Sequence, residues 1–147
     1  MPPTISIQKA AKNDFDAVCA LLSANNLPII DLNPLLEDFL LAFDENEITA
    51  VMGMDRYGDA GLLRSAAVKA SHRNLGIAAA LINRLLDDAR SNNLKVLYLI
   101  TNTAEQYFAK KGFEKIEREA VPPTVLQSKE FNGLCPASSV MMRKYLS

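Results

Sequence analysis

The chain has 147 residues, 49% apolar and 22% charged, which suits one globular domain of ordinary size with a buried core. Lys plus Arg number 16 and Asp plus Glu 17, so the formal charge is −1 and no basic excess exists to carry nonspecific nucleic-acid binding. Six glycines, two cysteines and no tryptophan exclude collagen-like, low-complexity and disulfide-scaffold classes.

Thr4 to Ala10 alternate, with Ile5 and Ile7 apolar, and predict a short first strand. Asn13 and Asp14 are N-cap types, and Phe15, Val18, Cys19 and Leu22 follow at helical spacing, predicting a helix from Asp14 to Ala24. Asn25-Asn26-Leu27-Pro28 stops it. Asn33-Pro34 predicts a second helix start, with Leu35, Leu36, Phe39, Leu40 and Phe43 as its apolar face. Glu47 to Met54 reads as a strand, Arg56 to Asp59 as a turn, and Ala60 to Val68 as the next strand or strands. The longest predicted helix runs from Leu75 to Asn92, with Leu75, Ala78, Ile82, Leu85 and Ala89 on one face. Lys95 to Ile100 is a continuous apolar strand of the kind buried on both faces of a sheet. Ala104 to Lys111 predicts a short helix stopped by Gly112, and Phe113 to Ile116 begins another strand. Pro122-Pro123 opens a polar, short helical stretch to Glu130, and Ser138 to Tyr145 reads as the last strand. The order predicts an α/β domain with a mixed sheet, one domain over residues 1–147.

The start, Met1 to Ile5, carries no positive region followed by an apolar one, and no apolar run nears the ~20 residues that span a bilayer. A cytoplasmic protein without a membrane partner is the expectation. Cys19 and Cys135 allow one long-range disulfide or two thiols, and a reducing cytosol favours thiols. Two cysteines and the one histidine, His72, cannot build a thiolate-rich zinc site, so no metal is expected.

Five glycines, Gly53, Gly58, Gly61, Gly112 and Gly133, fall near predicted turns or strand ends. Gly76 lies instead at the front of the longest helix, where an interior glycine costs about 0.8–1 kcal/mol relative to Ala. Val68 to Ala78 (V-K-A-S-H-R-N-L-G-I-A) reads as strand, loop and helix start. Backbone N–H groups there have no partner inside the helix, and the helix dipole adds positive charge. Glycine followed by a small residue lets a diphosphate approach the backbone, and Arg73 can add a charge-assisted hydrogen bond. A neutral surface glycine beside a solvated arginine is the bland alternative. No G-x-G-x-x-G and no P-loop pattern is present, which disfavours dinucleotides and nucleoside triphosphates of those classes.

Val68 to Ala78 resembles motif A of the GNAT superfamily, the Gcn5-related N-acetyltransferases, V-x-x-x-x-[RQ]-x-x-G-x-[GA] at a strand-to-helix junction. Ala104 to Phe113 (A-E-Q-Y-F-A-K-K-G-F) resembles the signature that follows the family's fifth strand. More narrowly, Leu62-Leu63-Arg64-Ser65, the stretch Thr103 to Phe108 and the tail from Phe131 to Ser138 resemble small acetyltransferases of bacterial arsenic-resistance operons. The resemblance implies a GNAT fold, a mixed, mostly antiparallel sheet of about six to seven strands with helices on both faces and splayed fourth and fifth strands. It implies acetyl-CoA as cosubstrate, a small, amino-acid-like amine as acceptor, and a homodimer. The cofactor-binding residues it implies are Ala66, Ala67 and Val68 for the pantetheine arm and Arg73, Asn74, Leu75, Gly76, Ile77 and Ala78 for the diphosphate. Thr101 stands where the family often has Asn, and Phe108 where it often has the Tyr proposed to protonate the leaving thiolate. Phe108 has no such proton, and Tyr107 is rotated about 100° from it along a helix.

Arg64 interrupts an apolar strand and needs a partner. An internal carboxylate, Glu37, Asp38 or Glu47, is one reading; a clamp on the carboxylate of an amino-acid acceptor is the other. His72 precedes Arg73 in a loop and reads as a solvent-facing residue. The general base is not identifiable: Asp31, Glu37, Glu105 or a water chain are candidates, and Arg64, Asp31, Glu37 and Phe108 form the substrate-side set. Two further readings remain beside an N-acetyltransferase of small amines, a noncatalytic acyl-CoA-binding or sensing module and a protein N-acetyltransferase.

Overall fold

The structure, a computed structural model, describes residues 5–25, 36, 38–73, 75–101, 105–117, 120 and 140–146. Its strands are β1 (Ile5–Lys9), β2 (Leu40–Asp44), β3 (Glu47–Tyr57), β4 (Ala60–Val68), β5 (Val96–Thr101), β6 (Glu114–Ile116) and β7 (Val140–Tyr145). Its helices are α1 (Phe15–Ala24), α2 (Ile77–Ser91) and α3 (Glu105–Lys110), with single 3-10 turns at Lys12–Asp14 and Ala70–His72. Among the described residues the seven strands form one sheet in the order β1-β2-β3-β4-β5-β7-β6. The β4–β5 pair is parallel, while β1–β2, β2–β3, β5–β7 and β6–β7 are antiparallel. This is the mixed sheet expected from the element order, and the mostly antiparallel one that the family resemblance implies. The segment from Pro122 to Glu130 and Cys135 lie outside the described residues, and Cys19 is a free thiol.

One predicted element is wrong. The apolar spacing of Leu36, Phe39, Leu40 and Phe43 predicted a helix, but Leu40–Asp44 is a strand between β1 and β3. Leu36 and Asp38 hold φ of 53° and 60°, a left-handed conformation that a right-handed helix cannot contain. Leu40, Leu41 and Ala42 are buried in succession, so the strand is covered on both faces and its pattern cannot alternate. That strand also makes Ala60–Val68 the fourth in chain order.

By compactness the chain divides into two units, Met1–Met54 with Ser65–Asp88, and Asp55–Arg64 with Ala89–Ser147. β3, β4 and α2 each give residues to both. The first unit is centred on Val18 and Leu22 of α1, Leu36, Phe39, Leu41, Val51 and Ala67. Gly53 lies inside β3, where a methyl group would run into the Phe39 ring. The sequence placed it near a strand end; close approach of an aromatic ring is its actual reason. The second unit is centred on Ala60, Leu62, Val96 and Tyr98, with Tyr57, Ile100, Ile116 and Met141 packed around them.

Candidate functional site

The turn between β4 and α2 belongs to the first unit. Along β4, Ala66 is exposed, Ala67 buried and Val68 half-buried. Gly76 has φ of 80°, and a methyl group built on it meets nothing within 4 Å. Its conformation therefore calls for glycine, and the space beside it is open. The first helical bond runs from the Ala80 N–H to the Gly76 carbonyl at 3.1 Å. The N–H groups of Gly76 to Ala79 precede that bond and lie at the positive end of the helix dipole. Arg73, Leu75 and Gly76 are exposed, Ala78 is half-buried and Ile77 is buried. Asn74 lies outside the described residues.

Arg73 is held in place. Its Nη2 donates to Asn25 Oδ1 at 2.8 Å and its Nε to the Val68 carbonyl at 3.3 Å. Asn25 closes α1, its Nδ2 donating to the Leu21 carbonyl at 2.9 Å. The asparagine read from sequence as a helix stop thus also anchors the arginine. His72 corrects its expectation. Its Nε2 lies 2.8 Å from Asp44 Oδ2 and its Nδ1 2.8 Å from Ser71 Oγ, and its side chain is 14% exposed. No local pattern could reveal this, because Asp44 lies 28 positions away.

Arg64, Thr101 and Phe108 lie in the second unit. Arg64 is 5% exposed, and its Nη1 donates to Asp55 Oδ2 at 2.9 Å. Asp55, across the β3–β4 hairpin, is therefore an internal partner of Arg64 that the sequence reading did not name; Glu37 lies outside the described residues. Glu47 is paired with Lys69. Ser65 follows with φ of 57°, the left-handed region, in the middle of β4. The β4–β5 register pairs Ala60 with Val96, Gly61 with Leu97 and Leu62 with Tyr98; β4 then continues to Val68 and β5 to Thr101. Serine carries no sequence signal for such a kink, which glycine or asparagine would.

Phe108 is half-buried and packs edge-on against Tyr107 at 5.3 Å and Phe113 at 5.7 Å. Tyr107 is 37% exposed, and burial of the rest raises its phenol above its ordinary value, so it stays protonated at neutral pH. Glu105 is exposed on α3. Asp31 lies outside the described residues. No group of three or more His, Cys, Asp or Glu able to hold a metal occurs among the described residues. No helix of the described residues is long and apolar enough to cross a membrane.

The model of the acetyltransferase (GNAT) family matches residues 12–113, which contain the whole β4–α2 turn. The chain belongs to the GNAT family. An amino-acid acetyltransferase of Mycobacterium tuberculosis is 30% identical to this GNAT chain over 90 residues, 61% of the chain and 48% of that relative. An N-acetylglutamate synthase from Neisseria gonorrhoeae, complexed with coenzyme A and N-acetyl-glutamate, has a TM-score of 0.83 at 19% identity, covering 100% of this chain and 36% of that one. A Mycobacterium tuberculosis structure in complex with CoA and NLQ has a TM-score of 0.80 at 22% identity, covering 97% and 99%. The chain thus spans about half the length of the curated relative and about a third of the Neisseria chain. At these identities the solved structures show the shared fold.

Proposed function

We propose that this GNAT chain is an acetyl-CoA-dependent N-acetyltransferase of a small, amino-acid-like amine. The observation that carries the reading is the β4–α2 turn, with Gly76 at φ of 80° in open space and Arg73 anchored beside it. These residues fit the cosubstrate. Ala66 to Val68 offer backbone groups and small side chains to the pantetheine arm. The N–H groups of Gly76 to Ala79 suit a diphosphate, and the open space beside Gly76 leaves room for its approach. Leu75 and Ile77 flank this cradle, and Asn74 completes its chain segment.

When bound, acetyl-CoA supplies a thioester carbonyl that a neutral amine attacks directly, with the CoA thiolate leaving. The chain's own work is mostly positioning. A backbone N–H near Val68 steadies the oxyanion. The amine would lose its proton to water as the amide forms, and water would return one to the thiolate, because Phe108 holds none to give; Thr101 places a hydroxyl at the end of β5.

The amino-acid-like acceptor is supported by the relative named an amino-acid acetyltransferase and by the neighbour carrying N-acetyl-glutamate. An arsenic-containing amino acid is the finer form of the proposal and rests on the resemblance at Leu62 to Ser65, Thr103 to Phe108 and Phe131 to Ser138. Incubation with acetyl-CoA and a panel of amino acids, including arsenic-containing ones, is expected to release free thiol with at least one of them. Binding of CoA without thiol release from any amine sinks the enzymatic reading. It would leave the sensing module, which Phe108 in the acid's place favours.

A further inference from the structure

The loop from Lys69 to Arg73 is tied down through three of its residues within the first unit. Lys69 Nζ pairs with Glu47, at the start of β3. Lys69 N–H donates to the Thr49 carbonyl at 2.7 Å, and the buried Thr49 hydroxyl donates to the Ala42 carbonyl at 3.2 Å. Arg73 is held by Asn25 at 2.8 Å. Between them His72 closes on Asp44, the last residue of β2, at 2.8 Å, while Ser71 Oγ meets the other ring nitrogen at 2.8 Å. Both imidazole nitrogens are thereby engaged, which fixes the ring's orientation. The turn Ala70–His72 is too short to hold itself: one bond, His72 N–H to the Lys69 carbonyl at 2.8 Å, closes it. Its direction is therefore set from outside, by the β2–β3 hairpin.

We infer that the Asp44–His72 pair is a positioning device for the cosubstrate cradle. It fixes the turn that delivers Arg73 and the N-terminus of α2 to the diphosphate. The inference rests on the acetyl-CoA reading above and adds residues that touch neither cosubstrate nor acceptor. Its physical basis is entropic and geometric. A loop that must be ordered on binding lowers affinity, and one ordered beforehand by buried hydrogen bonds does not. A charge-assisted bond of a partly buried imidazole to a carboxylate is strong enough to matter at this scale.

The test compares two probes by titration calorimetry, CoA and S-acetylpantetheine, which lacks the diphosphate. Asp44→Ala is expected to weaken CoA about tenfold, the scale of one charged hydrogen bond, and to leave S-acetylpantetheine within about twofold. His72→Ala behaves the same, the double variant is no worse than either single one, and His72→Gln, which can still donate to Asp44, restores binding. If Asp44→Ala does not fold, His72→Ala carries the same comparison. CoA bound by Asp44→Ala as by wild type, or both probes weakened equally, overturns the inference. CoA affinity lost in Arg73→Ala but kept in Asp44→Ala overturns it while the acetyl-CoA reading stands. Absence of CoA binding by the wild-type protein overturns both.

Discussion

The two units differ in whether a charge enters their packed strands. In the first, the core of Val18, Leu22, Leu36, Phe39, Leu41, Val51 and Ala67 is wholly apolar, and the ion pairs Lys69–Glu47 and His72–Asp44 sit outside it, on the loop that leads to α2. In the second, a charge enters the strand itself. Arg64 is 5% exposed within β4 and is paired to Asp55, and two tyrosines, Tyr57 and Tyr98, belong to or border the core. The difference teaches where the chain has room to act. The first unit secures a loop with polar contacts laid over a settled core, so the β4–α2 turn can be tuned without disturbing packing. In the second, packing and polarity are the same problem, because Arg64 cannot be changed without leaving Asp55 behind.

The largest expected effects test this contrast directly. Phe39→Ala should cost about 3–5 kcal/mol, measured by denaturant unfolding, as the loss of a fully buried aromatic. Arg64→Gln should cost about 2 kcal/mol, below the range for a fully buried pair because the Asp55 side chain keeps 29% exposure. The contrast would be broken by an Arg64→Gln protein of unchanged stability whose KM for the acceptor rises. That pattern belongs to a ligand clamp and not to an internal pair.

Much of this was legible locally. β4 falls on Ala60–Val68 as predicted, and α2 runs from Ile77 to Ser91 against a predicted Leu75 to Asn92. Both are long and strongly patterned, and the motif at their junction depends on local backbone geometry. What was not legible depends on distant partners. β2 reads as a helix from sequence because a continuous apolar run has no alternation to mark it as a strand, and only pairing with Ile5 to Lys9 and Glu47 to Met52 decides. Asp44 became visible as a partner of His72 only once that strand existed. Asp55 as a partner of Arg64 depends on β3 and β4 lying side by side in the sheet, which no propensity encodes. Ser65 at φ of 57° goes against its own residue preference and had no signal at all.

A smaller effect separates what Gly76 does for the backbone from what it does for a ligand. Gly76→Ala forces an L-residue to φ of 80°, which costs about 1–2 kcal/mol, yet the added methyl meets no protein atom within 4 Å. Stability should fall by about that amount, and CoA affinity should fall with it if the methyl occupies the diphosphate's approach. Lost stability with unchanged CoA affinity keeps the backbone role and removes the ligand from the cradle. Unchanged stability means that the left-handed turn is not maintained in solution.

The smallest expected effect is alkaline, and it should fall on the second unit. Burial raises the Tyr98 phenol above its ordinary value, with Arg143 opposing, and burial also raises Tyr107. The folded chain therefore holds these protons to higher pH than the unfolded chain does. In the window above the ordinary tyrosine value of about 10, the unfolded state binds fewer protons, and stability must fall as pH rises. Tyrosinate absorbance should climb in two steps, the later one accompanying loss of structure. Replacing Tyr98 with Phe should remove part of that pH dependence while keeping the ring that packs with Ala60, Leu62 and Val96. In the first unit the Cys19 thiol is raised, by burial and by Asp16, and it sits half-buried beside the core and not within it. Cys19→Ser should therefore leave the alkaline tyrosinate curve where it is. A shift as large as that of Tyr98→Phe would show that the two units lose stability together.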